Sequence, residues 1–532
     1  MHASQRWLAA WRDRVLRRLR PDAPPLPDAW FSDAEVAAYD QSFPADDPRR
    51  IDDATWRDLE AQALLQRVAG TASIHARQYL FQRLRRGAMF ERGVRPHWLG
   101  EDADAGHLLA RTERARLALR RQDMEVTGLL FRDELVALPA WLRHLRWAKG
   151  AWIAGVLLAL AGWLGVGAAC VLAYLVGWAA VEMRFHARVQ LWKRQRGAIV
   201  AMLKAIVDLA TVARRWPHAV LADVDAASEE ARRALIALEL DAVERQAMTA
   251  DYLNLLTLHE YAMAPMRRAR LERERSRLQG LYATLAECDG RLCLIAWLQQ
   301  HREVCWARPA DARELRLVDL RNPLLAGGQP LSLELRGRGA FLSGENGAGK
   351  STLLRAIGLN LLLARAFGFC HAFEAVVPAL PVWSSMVHAD SLEIGDSLYM
   401  AEMRRAGILL QVAARSEGAV FLVDEIFRGT NHVESVAGAA AVLNRLAAAG
   451  TLVVSSHNVV LAPLLRARLA PWRVVRAGAR GLTLEAGVLR EPNGLAMMEL
   501  YGLAETVRSE ARRVHDWFAG HVATPSTFPT LA

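Results

Sequence analysis

Cysteine is scarce. The chain has five in 532 residues, Cys170, Cys288, Cys293, Cys305 and Cys370, too few and too scattered for a disulfide framework, and a reducing compartment is expected. Cys288, Cys293, His301 and Cys305 lie close together, but steps of five, eight and four residues along what reads as helix scatter them around its axis. Buried thiols are therefore expected there, not a zinc site. The first residues lack an apolar run followed by a small-residue cleavage site, so no secretory signal peptide is expected. Charge is missing altogether from Ala151 to Val181, thirty-one consecutive residues, and a buried soluble helix of that length would be exceptional.

What is present begins with size and charge. A chain of 532 residues suggests about three domains at roughly 100 to 200 residues each. Lys plus Arg is 67 and Asp plus Glu 57, a net charge of +10. That favours an anionic partner, nucleic acid or a membrane surface, without choosing between them.

Residues 1–28 read as a basic amphipathic helix followed by a Pro-rich linker. Arg6, Arg12, Arg14, Arg17, Arg18 and Arg20 face one acid, Asp13, while Trp7, Trp11, Val15 and Leu19 recur every four residues. Such a helix suits an anionic membrane surface, or docks on its own protein. A first all-α core part is expected over residues 29–147, with helices over 51–90 and a second helical tract through 104–147. Residues 148–185 hold the charge-free run, bordered by Arg143, Arg146 and Lys149 before it and Arg184, Arg188 and Lys193 after it. One straight helix over that run would be about 46 Å long, beyond a hydrocarbon core of about 30 Å. Gly162, Gly165 and Gly167 sit at its midpoint and both flanks are basic, which predicts a transmembrane hairpin with both ends on the cytoplasmic side. Arms of about 15 to 18 residues would make it short and bilayer-thinning, or partly re-entrant.

A second helical lever or core part follows over 186–311, in which the cluster Arg267 to Arg277 reads as a solvated helix face. From residue 312 to 523 short β-type runs alternate with helices, the mark of an α/β domain. Residues 524–532 read as a disordered tail.

The chemistry is concentrated in the α/β region. A short apolar strand, Ala340 to Ser343, runs into Gly344-Glu345-Asn346-Gly347-Ala348-Gly349-Lys350-Ser351-Thr352 and then into a helix, a Walker A loop in its strand–loop–helix setting. Gly344, Asn346, Gly347 and Gly349 let backbone N–H groups converge on phosphate oxygens, Lys350 reaches the β and γ phosphates, and Ser351 ligates Mg2+ beside Thr352 at the helix start. A second apolar strand ends in Asp424-Glu425, a Walker B pair in which Asp424 holds Mg2+ and Glu425 polarises the attacking water. A third strand, Thr451 to Val454, ends in Ser455-Ser456-His457, where His457 is placed to sense the γ phosphate. The expected cofactors are ATP and Mg2+, and the expected reaction is ATP plus water to ADP and phosphate.

Asp424-Glu425-Ile426-Phe427-Arg428-Gly429-Thr430-Asn431 resembles the D-E-I-x-R-G-T-[SN] element of the MutS family of DNA mismatch-repair ATPases. Asp390 to Met403 resembles the segment between that family's Walker motifs, in which a serine is supplied to the partner subunit's ATP, and Ser397 falls on that serine. Asn322-Pro323-Leu324-Leu325 stands where the family has His-Pro near the adenine, so Pro323 is carried over while His gives way to Asn. The loop also departs, with Glu345, Gly347 and Ala348 where members commonly have Pro, Met and Gly or Ser. Strong resemblance covers about residues 340–460, and a weaker helical one about 51–90 and 250–325. It is similar to the branch with transmembrane segments and without the mismatch-recognition domain, for which the N-terminal part leaves no room.

The resemblance implies an α/β P-loop NTPase domain of the ABC/MutS type at the C-terminus, preceded by an all-α core and lever region interrupted by the transmembrane hairpin. It implies a homodimer with composite ATP sites and no small-molecule substrate other than ATP; the charge-free run and its basic flanks add membrane lipid as a partner and an ATPase domain on the cytoplasmic side. Double-stranded DNA is a candidate partner, expected without mismatch specificity, since none of the 14 Phe residues is followed two positions later by Glu. Two other readings stand beside this one. An ABC-type transport or chromosome-maintenance ATPase shares the loop, but Lys350 and Asp424 are close in sequence and no Leu-Ser-Gly-Gly-Gln run lies between them. A nucleotide-gated membrane scaffold with little turnover is opposed by Glu425.

Overall fold

The computed structural model describes residues 31–70, 72–87, 95–100, 102–238, 258–325, 327–345, 347–386, 398–415, 418–428, 431–477, 481–489 and 505–522. The basic N-terminal segment and the C-terminal tail lie outside these residues. Two compact units form: a helical one of Met1–Phe43, Ala69–Phe81 and His97–Gln299, and an α/β one of Pro44–Val68, Gln82–Pro96 and Gln300–Ala532. Residues 44–68 and 82–96 thus group with the α/β unit although they precede the charge-free run in sequence.

In the helical unit the tract predicted over 104–147 is broken. Helix covers Asp102–Arg120 and Thr127–Phe131, and a 3-10 helix covers Ala140–Trp147. Asp133 takes a left-handed conformation with φ 59°, which stops the second piece, and Pro139 removes a donor just before the third. The interior is held by Asp289, 1% exposed, which accepts from Ser73 Oγ at 2.5 Å and Arg116 Nε at 3.0 Å. Cys293 Sγ accepts from Arg116 Nη2 at 3.1 Å. Burial pushes the Cys293 thiol up to about 11 and Cys288 upward as well, so both are unreactive packing groups.

The charge-free run folds as two helices, Ala148–Leu160 and Leu164–Arg215, joined at 161–163. They pack closely, since a Cβ built on Gly155 would lie 3.1 Å from Cys170 Cβ and one on Gly167 2.6 Å from Ala159 N. The 52-residue helix changes character along its length. Gly167 and Tyr174 are buried in its first part, whereas Val189, Trp192, Ile199, Met202, Ile206 and Leu209 are buried in its second.

The α/β unit is built on a sheet whose strand order is Gly481–Ala486, Leu469–Ala477, Gly339–Gly344, Thr451–Ser455, Val420–Asp424, Val382–Met386. All neighbours run parallel except the first pair. Strands 339–344, 420–424 and 451–455 are buried at every position, which explains why they read as unbroken apolar runs without alternation. Phe341, Phe421, Val423, Leu452 and Val454 pack with Leu409, Leu443 and Leu446 of the covering helices. A smaller sheet places Arg308–Ala310, Glu374–Pro378, Glu314–Leu320 and Leu331–Arg336 side by side.

Candidate active site

The parallel register sets the site. Ser455 pairs with Asp424 across one ladder and with Leu342 across the other, so the carboxyl ends of three neighbouring strands reach one edge of the sheet. In open α/β sheets that edge is where ligands bind.

The loop after Gly344 turns into the helix Lys350–Phe367 through Gly349, which caps it at φ 91°. A side chain there would be strained, and its Cβ would lie 2.8 Å from Leu482 Cδ1. Gly344 is buried, Gly347 exposed, and Ser351 and Thr352 half-buried on the first turn of the helix. Asn346 lies outside the described residues. Lys350 is buried, and its Nζ donates to Gly344 O at 2.9 Å and Glu345 O at 3.1 Å. Burial pushes its ammonium below the ordinary lysine range, while Glu425 and Asp424 pull it back up. Lysine and carboxylates are therefore within electrostatic reach of one another.

Asp424 is 9% exposed and accepts from the Ser455 hydroxyl. Glu425 has a left-handed backbone at φ 53°, as has Phe427 at φ 60°. Two such non-glycine residues next to a catalytic-type carboxylate mark stored backbone strain. The turn is held because Glu425 N donates to Ser455 O at 2.9 Å. It aims the Glu425 side chain between His457 and Arg428, with His457 Nε2 at 3.0 Å from Oε1 and Arg428 Nε at 2.5 Å from Oε2. Burial opposes ionisation of Glu425, but the His457 hydrogen bond and the charges of Arg428, His457 and Lys350 outweigh it and hold the carboxyl below the ordinary glutamate range. A cleft of about 280 Å³ opens beside this pair, lined by Glu425, Arg428, His432, Ser456, His457 and Asn458 among others.

The residues singled out from sequence thus fall into three groups. Lys350, Asp424, Glu425 and His457 converge. Ser397 lies outside the described residues. Pro323 belongs to a turn in which Leu324 N donates to Asn322 Oδ1 at 2.8 Å and Pro323 O accepts from Arg67 Nη1 at 3.2 Å. Sequence reasoning missed three participants. Arg428 had a signal, its i+3 spacing from Glu425. Ser455 had one too, as the last residue of the strand beside Asp424. Asn360 had none: wholly buried in the loop's helix, it donates to Arg321 O at 2.9 Å and accepts from His371 N at 2.6 Å, tying that helix to the residue before Asn322.

Oxygen donors suited to Mg2+ are present, Ser351 on the first turn of the loop's helix and the Asp424 carboxylate at a strand end. A lysine on a glycine-capped helix start suits a nucleotide's phosphates. The residue set therefore fits both groups.

The family model described as MutS domain V matches residues 340–518. The chain is 30% identical over 284 residues to the DNA mismatch repair protein MutS of Thermus thermophilus, covering 52% of this chain and 34% of that one. It is 31% identical over 256 residues to the protein of the same description from Thermus aquaticus, covering 46% and 31%. It is 36% identical over 128 residues to the mitochondrial DNA mismatch repair protein mutS homolog of Sarcophyton glaucum, covering 24% and 13%. The chain spans about a third of the length of the first of these relatives.

Proposed function

Because this chain belongs to the MutS family, whose members are ATPases, we propose that it is a Mg2+-dependent ATPase held at a membrane by its apolar hairpin and working as a homodimer. The observation that carries the enzymatic part is the meeting of Lys350, Asp424, Glu425 and His457 at adjacent strand ends. When bound, Mg2+ supplies charge neutralisation for the phosphates. Ser351 and Asp424 would hold it, and Lys350 would exchange Gly344 O and Glu345 O for phosphate oxygens. Glu425, already ionised and oriented by His457, accepts the proton of the attacking water as the bond to the γ phosphorus forms and the bond to the ADP oxygen breaks. Glu345, Gly347 and Ala348 are compatible with this role because the contacts to phosphate come from backbone N–H groups.

The membrane part rests on Leu164–Arg215, a helix long and apolar enough to cross a membrane, whose apolar stretch is almost wholly exposed. The homodimer rests on the resemblance around Ser397. Mixing inactive Lys350→Ala and Ser397→Ala chains should restore part of one composite site, and mixtures that stay dead although hetero-pairs form contradict it. ATP hydrolysis would move the helical arms. Duplex DNA binding, if retained, should come from Arg and Lys contacts to phosphate and be indifferent to a mismatch. The test is ATP turnover and binding of the detergent-purified chain with matched duplex, with a central G·T mispair, and without DNA. A mismatch preference above roughly tenfold, about 1.4 kcal/mol, contradicts the absence of a mismatch-reading element.

A further inference from the structure

Three features of the hairpin bear on how deep it goes. The first is length: Ala148–Leu160 has 13 residues, about 20 Å of helix, against a hydrocarbon core of about 30 Å. A hairpin penetrates no deeper than its shorter arm allows. The second is the base. Trp141, before the first arm, packs edge-on against Phe185 of the second helix with ring centroids 5.6 Å apart. Arg143 and Arg146 are therefore brought to the same end as Arg184 and Arg188, and all four are exposed. A basic rim with aromatic rings suits an anionic headgroup layer.

The third is the tip. Leu158 to Val166 contains no charged side chain and no polar group other than the Trp163 indole N–H, and Leu160, Trp163 and Leu164 are 79%, 64% and 72% exposed. The turn closes on its own backbone. Gly162, at φ 91°, donates to Ala159 O at 3.3 Å, Trp163 N donates to Leu158 O at 3.1 Å, and Ala161 N donates to Leu157 O at 2.9 Å. That double bond pattern around a left-handed glycine is a Schellman motif, which satisfies the carbonyls a helix end would otherwise present to water. A turn emerging on a far aqueous face has no need to be apolar, whereas one in hydrocarbon must be, and must satisfy its backbone internally.

We infer that residues 148–181 form a re-entrant hairpin that enters a lipid bilayer from one face and returns to that face, with the 161–163 turn inside the hydrocarbon and the four arginines among anionic headgroups. This rests on the membrane reading proposed above. Close packing at Gly155, Ala159 and Gly167 gives the two arms the small-residue contact that helices use to associate in lipid. The start of the second helix has no side-chain cap, so the internal satisfaction of the turn covers the first helix's carbonyls and not the second helix's first N–H groups, which makes the tip the position to probe.

The full chain carrying Cys170→Ala and Trp163→Cys is labelled with NBD and reconstituted in phosphatidylcholine–phosphatidylglycerol vesicles. A second chain carries Cys170→Ala and Arg188→Cys as the base control. The expected result is that NBD at 163 loses less than about a tenth of its signal to dithionite in intact and in permeabilised vesicles and is quenched by doxyl groups deep in the acyl chains, while NBD at 188 is bleached. Bleaching at 163 from the side opposite to 188 overturns the re-entrant inference and leaves membrane anchoring standing. Bleaching at both positions from one side overturns anchoring itself. Protection at 163 without doxyl quenching places the tip against protein, such as a second copy, and also overturns the inference.

Discussion

Glu425 Oε1 lies 3.0 Å from His457 Nε2. The contact joins the last residue of one strand's motif to the residue two past the end of its neighbour, and it depends on the left-handed backbone of Glu425. With Arg428 on the other oxygen, the carboxylate is kept charged at the point where an attacking water would be activated.

Removing Arg428 should therefore weaken the stabilisation of the Glu425 anion. In Arg428→Ala the carboxyl rises toward its ordinary value, and the acid limb of the kcat/KM profile should move to higher pH. A profile from pH 4 to 8 measures this. An acid limb that stays in place shows that Glu425 is not the group titrating there.

A buried carboxylate bonded to the strand beside Asp424 should matter for stability. Asp58 Oδ2 accepts from Ser384 Oγ at 2.6 Å and from Met386 N at 2.9 Å, holding the strand Val382–Met386 at the sheet's edge. Arg405 joins the same cluster through Asp52, Thr55 and Ser384 O. Asp58→Ala leaves two buried donors without their acceptor and should cost about 2–4 kcal/mol in urea unfolding. Asp58→Asn, whose amide oxygen can take the place of Oδ2, should cost less. Equal losses would mean that volume, not the hydrogen bonds, is what the site requires.

His371 supplies a pH dependence of stability. Burial, with His301 close by, lowers its pKa from 6.5 to about 4. As pH falls, the unfolded chain takes up this proton first, so stability is lost between about pH 6.5 and 4, at no more than roughly 1.4 kcal/mol per pH unit. His371→Phe should flatten the fall in melting temperature over that window, whatever its effect at pH 8. An unchanged slope would assign the acid sensitivity to other groups.

The parts of the site legible in sequence are those encoded locally. The strands around residues 340, 420 and 451 are fully buried, so each appears as an apolar run leading into its motif, and parallel pairing does the rest. The turn at Gly162 was legible because glycine at the centre of a charge-free run has few other uses. Legibility ends where partners are remote or conformation overrides pattern. Asp58 and Ser384 are 326 residues apart, and nothing near either announces the other. Asn360 looks like any polar residue on a helix until its burial is known. The break after Arg120 was hidden because residues 121–139 keep a helix-like composition, and the left-handed turn at Asp133 shows only in the backbone.

The central claim is that this chain hydrolyses ATP with Glu425 as the group acting on water, and the direct test is Glu425→Gln, with nucleotide binding and turnover measured on the same sample. The variant should bind ATP within about threefold of the unmodified chain while kcat falls by about two orders of magnitude or more. In Lys350→Ala, by contrast, binding itself should be lost. Turnover within a few-fold of the unmodified chain in Glu425→Gln, with binding intact, would contradict the assignment.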